Sequence, residues 1–483
     1  VSELPKGWKN PEIKDLCSLY NGRAFKQTEW STSGLPIIRI QNLNKKDAPF
    51  NYFNGDFDNR HFIQKGDLLF AWSGTPGTSF GTHEWKGENA VLNQHIFKIE
   101  FSNDLISKGF FRHAINHKLE ELIGNANGGV GLRHVTKGVF EKTKVAFPPL
   151  AEQKRIVEKL DQVLAQVDTI KARLDGIPAI LKRFRQSVLA AAVSGKLTEE
   201  WRKVNVFKGK KIEKGKLKFK QELFENAKSS LPDLPNEWIV TPSANILEYV
   251  TSGSRGWAEY YAEDGALFLR MSNVRYDTTK LDLNDLQYVD LPATIEGKRS
   301  LVKENDLIIS ITADVGRVAR ITENFGEAYI NQHLALARPL GVIDSEYLAF
   351  CIASKNVGMK QVQVLKRGAT KAGLGLDDIK SLAIPLPSIE EQTEIVRLVD
   401  QYFAFADTIE KQVQKAQQRV DKLTQSILAK AFRGELVPQN PTDEPADELL
   451  KRIAAARAES EALAKAAKKV GKKIAEKTTK TLQ

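Results

Sequence analysis

Cysteine and methionine are nearly absent from this chain, with two of each in 483 residues, and no apolar run is long enough to cross a membrane. Cys17 and Cys351 stand alone, without the paired-Cys or Cys/His spacing of a disulfide framework or a zinc site. A reducing cytoplasm fits that usage. The seven histidines form no H-E-x-x-H or comparable ligand spacing. No G-x-x-x-x-G-K-[ST] phosphate loop occurs and no G-x-G-x-x-G opens a helix after a strand, so nucleotide hydrolysis and dinucleotide binding lack a local signature. Also missing is the Asn/Asp-Pro-Pro-Tyr/Phe segment that holds an exocyclic amine for methyl transfer. Residues 1–8 lack the apolar run behind a basic start that marks a secretory signal. Catalysis, a bound cofactor and a bound metal are therefore not expected of this chain alone.

What is abundant is positive charge: 71 Lys and Arg against 60 Asp and Glu give a formal +11 and a pI near 9.2. An excess of that size favours an anionic partner, nucleic acid before membrane, because no segment reads as a lipid-binding helix with a large apolar face. With 42% hydrophobic and 27% charged residues, the composition is that of a globular protein, and the length allows three or four domains.

The dominant feature is an internal duplication. Residues 148–197 align without a gap on residues 387–436, Glu152 on Glu391 and Gln153 on Gln392, and eighteen of the fifty positions are identical. In the first copy Ile156, Leu160, Val163, Val167, Ile170, Leu174, Ile177, Leu181, Phe184 and Val188 recur at alternating steps of four and three, the a/d rhythm of a coiled-coil seam. The equivalent positions, Ile395, Val399, Tyr402, Ala406, Ile409, Val413, Ala416, Val420, Leu423 and Ile427, are all apolar or aromatic. One such stripe reads as core packing or homodimerisation. Two in one chain point to an intramolecular pair of helices, each about 60 Å long. Gly176-Ile177-Pro178 interrupts the first copy, and a proline inside a helix costs about 3 kcal/mol, so a kink or restart is expected there although the heptad phase runs through. The second copy is expected to be unbroken. Gly195 and Gly434 read as helix C-terminal glycines.

A strand-rich domain precedes each helical repeat. In residues 1–147, short apolar runs at 36–40, 67–70 and 95–99 lie between Gly/Asn/Ser loops, with helical pattern only near 105–122. Residues 231–386 repeat this in outline: Leu4-Pro5-x-x-Trp8 recurs as Leu234-Pro235-x-x-Trp238, Arg39-x-x-Asn42 as Arg270-x-x-Asn273, and Asn93-Gln94-His95 as Asn331-Gln332-His333. The fold class is therefore α+β, two mixed strand-rich domains in pseudo-twofold arrangement, joined by two long helices (148–200 and 387–437) forming an antiparallel coiled coil. Between them, residues 201–230 form a basic linker; its 206–220 stretch carries seven lysines against Glu213 alone. That stretch reads as solvated and mobile, with a phosphate-contacting arm as the alternative. The basic Ala/Lys/Glu-rich tail, 438–483, reads as an exposed helix over 446–477, marginal alone.

The repeated Asn-Gln-His is tempting chemistry, since amides read adenine and histidine can act as a base. If the two domains bind different sequences, a triplet kept in both is better explained as shared scaffold. Specificity should then sit in loops where the copies differ: 21–26 against 251–256, 73–78 against 312–317, and 125–134 against 366–373. The candidate DNA-contacting residues are Arg23, Lys26, Ser73, Thr75, Thr78, Asn127, Arg133 and His134 in the first domain. In the second they are Ser254, Arg255, Thr312, Asp314, Arg317, Lys366, Arg367, Thr370 and Lys371. Arginine can bond guanine bidentately, amides adenine, and glycine lets the backbone approach phosphate. Ordinary solvent loops use the same residue types.

Taken together and in order, several segments resemble the specificity subunit of Type I restriction-modification enzymes, particularly the enteric type with one central and one C-terminal helical region. They are Pro-Pro-Leu-Ala-Glu-Gln at 148–153, Ile-Leu-Lys-Arg-Phe-Arg-Gln-Ser-Val-Leu at 180–189, Gly-Lys-Leu-Thr-Glu-Glu-Trp at 195–201, Ala-Asp-Thr-Ile-Glu at 406–410, and the run from Leu423 to Leu436. The resemblance implies that residues 1–147 and 231–386 are target recognition domains, each reading one half of a split double-stranded DNA site, with the helices fixing the gap between halves. It also implies two methyltransferase partners that carry S-adenosylmethionine, and motor/nuclease partners that use ATP and Mg²⁺. A coiled-coil adaptor whose domains bind proteins, and a self-sufficient methyltransferase with degenerate motifs, are the competing readings.

Overall fold

Short β-branched and aromatic runs, several of them buried at every position, give each strand-rich domain two four-stranded sheets. The computed structural model describes residues 4–481 apart from 46, 75–79, 102–103, 125–132, 206–214, 293–298, 323–325 and 368–372, and leaves the side chains of 464 and 467–481 undescribed. The chain divides into two units, residues 1–172 with 417–483, and residues 173–416. Each unit thus holds one strand-rich domain, the first part of the helix that follows that domain, and the last part of the other helix.

In the first domain an antiparallel sheet runs in the order Ser18–Asn21, Ile96–Glu100, Leu68–Ala71, Gly81–Glu84. Leu68–Ala71 is buried at every position because it is an inner strand covered on both faces. The second sheet is mixed, ordered Asn51–Phe53, Leu35–Ile38, Ala90–Leu92, Phe62–Ile63, with Leu35–Ile38 parallel to Ala90–Leu92. The second domain repeats both sheets. Leu247–Ser252, Leu334–Pro339, Leu307–Ser310 and Val318–Arg320 form the antiparallel one. In its mixed sheet Ala266–Leu269 lies parallel to Ala328–Ile330. The helical pattern near 105–122 becomes Lys108–His117, capped by the Ser107 hydroxyl, and Leu119–Gly124. Its counterpart Ser345–Ala353 is capped by Asp344.

The two motifs that recur most closely in sequence join each domain to its helix. Trp8 donates its indole N–H to Glu152 at 3.0 Å, and Trp238 donates to Glu391 at 3.0 Å. The following glutamine holds the domain's own helix start: Gln153 Oε1 accepts from the Ser107 amide at 3.0 Å, and Gln392 Oε1 from the Asp344 amide at 2.7 Å. Each glutamine also donates to a proline carbonyl just before its helix, Pro148 and Pro387. These groups are buried, so each pairing satisfies polar atoms that would otherwise be costly to desolvate.

The long helices span Leu150–Val193 and Ile389–Phe432 and run antiparallel within each unit. In the first unit Lys171 pairs with Asp421 at 2.9 Å and Arg155 with Asp443 at 2.6 Å. In the second, Arg185 pairs with Asp407 and Glu410 at 2.6 and 2.9 Å. The apolar stripe is not sealed evenly. Ile156, Leu160 and Ile427 join the core of the first domain, and Val188, Ile395 and Val399 that of the second. Ile170, Tyr402 and Leu423 stay 45%, 40% and 49% exposed. Two helices alone cover only part of such a stripe, and full burial comes where a domain adds a third layer. Gly195 and Gly434 follow the helix ends with φ of +77° and +74°. A Cβ there would lie 2.4 Å from Cγ of Pro235 and of Pro5 respectively, so these glycines also admit the proline of the Leu-Pro motif.

Three expectations are corrected. The first long helix neither breaks nor restarts at Pro178. Pro178 is exposed, so its ring meets solvent, and the helix continues on both sides of it although the proline has no N–H for the Leu174 carbonyl. The linker is not uniformly solvated. Residues 206–214 lie outside the described residues, but Leu217 and Phe219 pack on the second domain's core, and Gln221–Lys228 is a helix with Phe224 and Ala227 buried. Apolar residues interleaved with the lysines supply that anchor. The tail helix, Ala446–Thr481, is not exposed throughout: Ala446, Leu449 and Ile453 share one face and are buried in the first unit. Cys17 and Cys351 are free and buried, and burial pushes both thiols up to about 12. Among the described residues no helix is long and apolar enough to cross a membrane.

Candidate nucleic-acid interface

The loops singled out in sequence converge on the repeated Asn-Gln-His turn in both domains, by the same backbone bonds. In the first domain the Gly22 amide donates to Ile96 O at 3.1 Å and the Arg23 amide to Leu92 O at 2.8 Å, while Asn93 N reaches Ile38 O at 3.1 Å. In the second, Gly253 N donates to Leu334 O at 3.1 Å and Asn331 N to Leu269 O at 3.0 Å. The approach leaves no room for a side chain: a Cβ on Gly22 would lie 2.0 Å from Asn93 O, and one on Gly253 2.1 Å from Asn331 O.

The second pair of loops enters through the residue after a core strand. Trp72 N donates to His95 O and Val135 N to Trp72 O, at 3.3 and 2.9 Å, which brings Ser73–Gly74 antiparallel to Arg133–His134. Correspondingly, Ile311 N donates to His333 O and Leu374 N to Ile311 O, at 2.9 and 3.0 Å, and Thr312 pairs with Gly373. Backbone geometry is thus common to both domains, and the side chains it carries differ. That is the arrangement a scaffold for two unlike recognition surfaces requires.

The candidate residues fall into distinct environments. Ser73 is buried and its hydroxyl is 2.8 Å from His134 Nδ1. Ser254 is buried, and among the described residues its hydroxyl has no hydrogen-bond partner. Arg23 is paired with Glu29 and lies over the rings of Phe25 and Phe53, at 5.0 and 4.9 Å from their centroids. Arg133 donates to Ile123 O at 3.0 Å. Arg317 pairs with Asp314, donates to Val274 O and covers the Tyr276 ring at 4.7 Å. Arg367 bonds the fully buried Asp378 at 3.0 Å. A guanidinium held this way has only its remaining N–H groups free for a ligand unless it exchanges its partner. Lys26, Arg255 and Lys366 are exposed. Thr75, Thr78, Asn127, Thr370 and Lys371 lie outside the described residues. Ala313 adopts φ +62°, a conformation costly for a residue with a side chain, within one of these loops.

The sequence reading missed a recess of about 330 Å³ in the first domain, lined in part by Trp30, Arg39, Gln41, Gln94 and His95. Its one signal was Arg39-x-x-Asn42, noted only as repeated framework. The Asn42 side chain accepts from the Arg39 amide at 3.0 Å, as Asn273 does from Arg270 at 2.8 Å, so the motif caps a short turn and thereby aims the arginine. The turn of the Asn-Gln-His triplet is scaffold through its backbone, yet Gln94 and His95 also face this recess. Burial, reinforced by the charge of nearby His134, holds the His95 imidazole below its ordinary value. Among the described residues no group of three or more His, Cys, Asp or Glu side chains is placed to hold a metal ion.

The family model for the Type I restriction modification DNA specificity domain matches residues 5–179 and 273–418. Over 442 residues the chain is 37% identical to the Type I restriction enzyme EcoBI specificity subunit of Escherichia coli, covering 91% of this chain and 88% of that protein. It is 32% identical over 465 residues to the EcoKI specificity subunit of Escherichia coli strain K12, covering 92% of each. In fold it is similar, at 18% identity and a TM-score of 0.63, to a chain from a structural study of type I R-M system assembly and conformational transition, over 90% of this chain and 100% of that one. The HsdS subunit from Thermoanaerobacter tengcongensis gives 0.52 at the same identity, over 90% and 98%. Duplicated domains, duplicated helices and a match to both copies lead to one assignment: the chain belongs to the Type I restriction-modification DNA specificity family.

Proposed function

We propose that this chain is the non-catalytic sequence-reading subunit of a Type I restriction-modification complex, with residues 1–147 and 231–386 each reading one half of a bipartite double-stranded DNA site. The observation that carries the reading is the loop convergence: in both domains three chain segments meet at the Asn-Gln-His turn through matching backbone bonds, while the side chains presented differ. One scaffold with two side-chain sets suits two different half-sites. The paired helices set the unread spacer between the halves, and the ion pairs of Lys171 and Arg185 join them. Two methyltransferase subunits supply S-adenosylmethionine chemistry, and motor/nuclease subunits use ATP and Mg²⁺; this chain holds none of these cofactors. The complex works in the cytoplasm, where two reduced, buried thiols are at home.

The test is a domain exchange. Replacing residues 231–386 by the corresponding domain of a relative with a different target, then mapping methylated adenines in cells carrying the complete system, should change one half of the site and leave the other half and the spacer unaltered. Change in both halves, or no sequence preference in the parent complex, overturns the reading.

A further inference from the structure

Two arginines occupy equivalent places in the duplicated domains and are used differently. Arg39 and Arg270 each follow a strand of the mixed sheet and each begin a turn capped by an asparagine three residues on. Arg270 is tied to Asp285 by an ion pair of 2.9 Å. Arg39 has no such partner: among the described residues its guanidinium makes no hydrogen bond and no ion pair. Instead it lies over the Trp30 indole, 5.5 Å from the ring centroid, at the recess of about 330 Å³. Its neighbour Arg23, by contrast, is already committed to Glu29.

A guanidinium stacked on an aromatic ring is held in orientation while its N–H fork stays available, and that fork matches a ligand offering two acceptors side by side. The recess surrounding it decides which ligand. Among the described residues its other polar side chains are Gln41, Asn93, Gln94 and His95, with no lysine. Amides both donate and accept, which suits the mixed edge of a base; a phosphate, with acceptors only, uses none of their acceptor capacity. A phosphate contact would also be required equally in both halves of a duplicated protein, whereas Arg270 is neutralised.

Resting on the DNA-reading function proposed above, we propose that Arg39, stacked on Trp30, reads the O6/N7 edge of a guanine in the half-site bound by residues 1–147, with Gln41 and Gln94 positioned for the adjoining base edge. The reader belongs to the first domain alone. The second domain lacks a free arginine at that place and reads its half-site with other groups.

The experiment uses the complete complex with its modification subunits, on duplexes carrying the mapped site and on random duplexes. Each guanine of the first half-site is replaced in turn by 7-deazaguanine, which removes N7 and keeps base pairing. In the parent complex one replacement should weaken binding by part of the about 5- to 100-fold range for a bidentate pair, because O6 remains. Arg39→Ala should show the full loss on the natural site, little on random DNA, and no further loss from that same 7-deazaguanine. Arg39→Lys should recover little, because an ammonium lacks the fork, and Arg270→Ala should leave first-half discrimination intact. Unchanged thermal midpoint and unchanged reading of the second half-site identify a folded variant. The proposal fails if the first half-site contains no guanine, if the losses of Arg39→Ala and 7-deazaguanine are additive at every position, or if Arg39→Ala weakens specific and random DNA equally with a salt slope reduced by about one, the mark of a phosphate contact. In all three cases a parent complex that still discriminates its site leaves the DNA-reading function standing.

Discussion

The duplicated Trp–Glu joints should respond in opposite ways to the same substitution. Glu391 accepts three bonds, from Trp238 at 3.0 Å, Thr198 at 2.7 Å and Arg202 at 2.6 Å, with its side chain 5% and that of Arg202 16% exposed. Glu391→Gln turns a carboxylate surrounded by donors into an amide that must aim its own N–H₂ at one of them. Breaking a buried ion pair from one side costs about 3–5 kcal/mol. Arg202 keeps its bond to Gly195 O at 2.6 Å, so the lower end, about 3 kcal/mol, is expected. At about 2–4 °C per kcal/mol for a body of this size, the transition containing residues 173–416 should fall by about 6–12 °C. Glu152 is just as buried, but among the described residues Trp8 is its only hydrogen-bond donor and its Oε1 has no partner. Burial pushes its carboxyl above the ordinary value, against the pull of Trp8 and Arg155. Glu152→Gln keeps an oxygen for the indole and removes a poorly solvated charge, so the change at neutral pH should stay within about 1 kcal/mol or stabilise. The sign with pH follows from the raised value. Below the ordinary glutamate range both folded and unfolded chains hold the proton and the charge costs nothing. As pH rises through that range the unfolded chain ionises first, and the penalty grows until the folded carboxyl has also ionised. The stability of Glu152→Gln relative to the parent should therefore rise from acid to neutral pH and then level. Calorimetry of both variants across that span is the assay. A Glu152→Gln loss matching that of Glu391→Gln, or a relative stability that falls with pH, refutes the reasoning.

Pro178→Ala should raise the melting temperature, because alanine restores the bond to Leu174 O within a continuous helix; about 3 kcal/mol of helix preference, less up to about 1 kcal/mol from a freer unfolded chain, leaves about 2 kcal/mol. A fall in calorimetric stability would show that the proline is locked in by contacts instead. Gly253→Ala must move the Asn331 carbonyl, at a cost of about 1–3 kcal/mol, and should weaken recognition of the second half-site while sparing the first. Gly22→Ala should do the reverse, and binding to duplexes with one scrambled half-site measures both.

The duplication, the antiparallel helix pair and the alternation of strand-rich and helical segments were legible in sequence because each rests on short-range periodicity that side-chain burial enforces locally. Leu68–Ala71 and Ile96–Glu100 fell within a residue or two of the apolar runs that marked them. The Trp8, Glu152 and Gln153 motifs were visible as repeats, but that Trp8 bonds Glu152 across more than a hundred residues, and that Gln153 holds the Ser107 amide, was not. Likewise, the heptad positions were evident while the exposure of Ile170, Tyr402 and Leu423 was not, since it depends on where a third layer covers the seam. The apolar residues of the linker, Leu217 and Phe219, were outvoted in sequence by neighbouring lysines whose charge says nothing about what the core will accept.

At the candidate interface the division is sharper. Sequence alone determined which loops differ between the two copies, and so which segments were free to carry recognition. Only the tertiary structure decided that Arg270 is spent on an internal carboxylate while Arg39 is left open, because the two look alike in their motifs and are distinguished by Asp285 and Trp30. A side chain's availability is set by the charges and rings that the fold brings within a few ångströms, and those neighbours come from elsewhere in the chain.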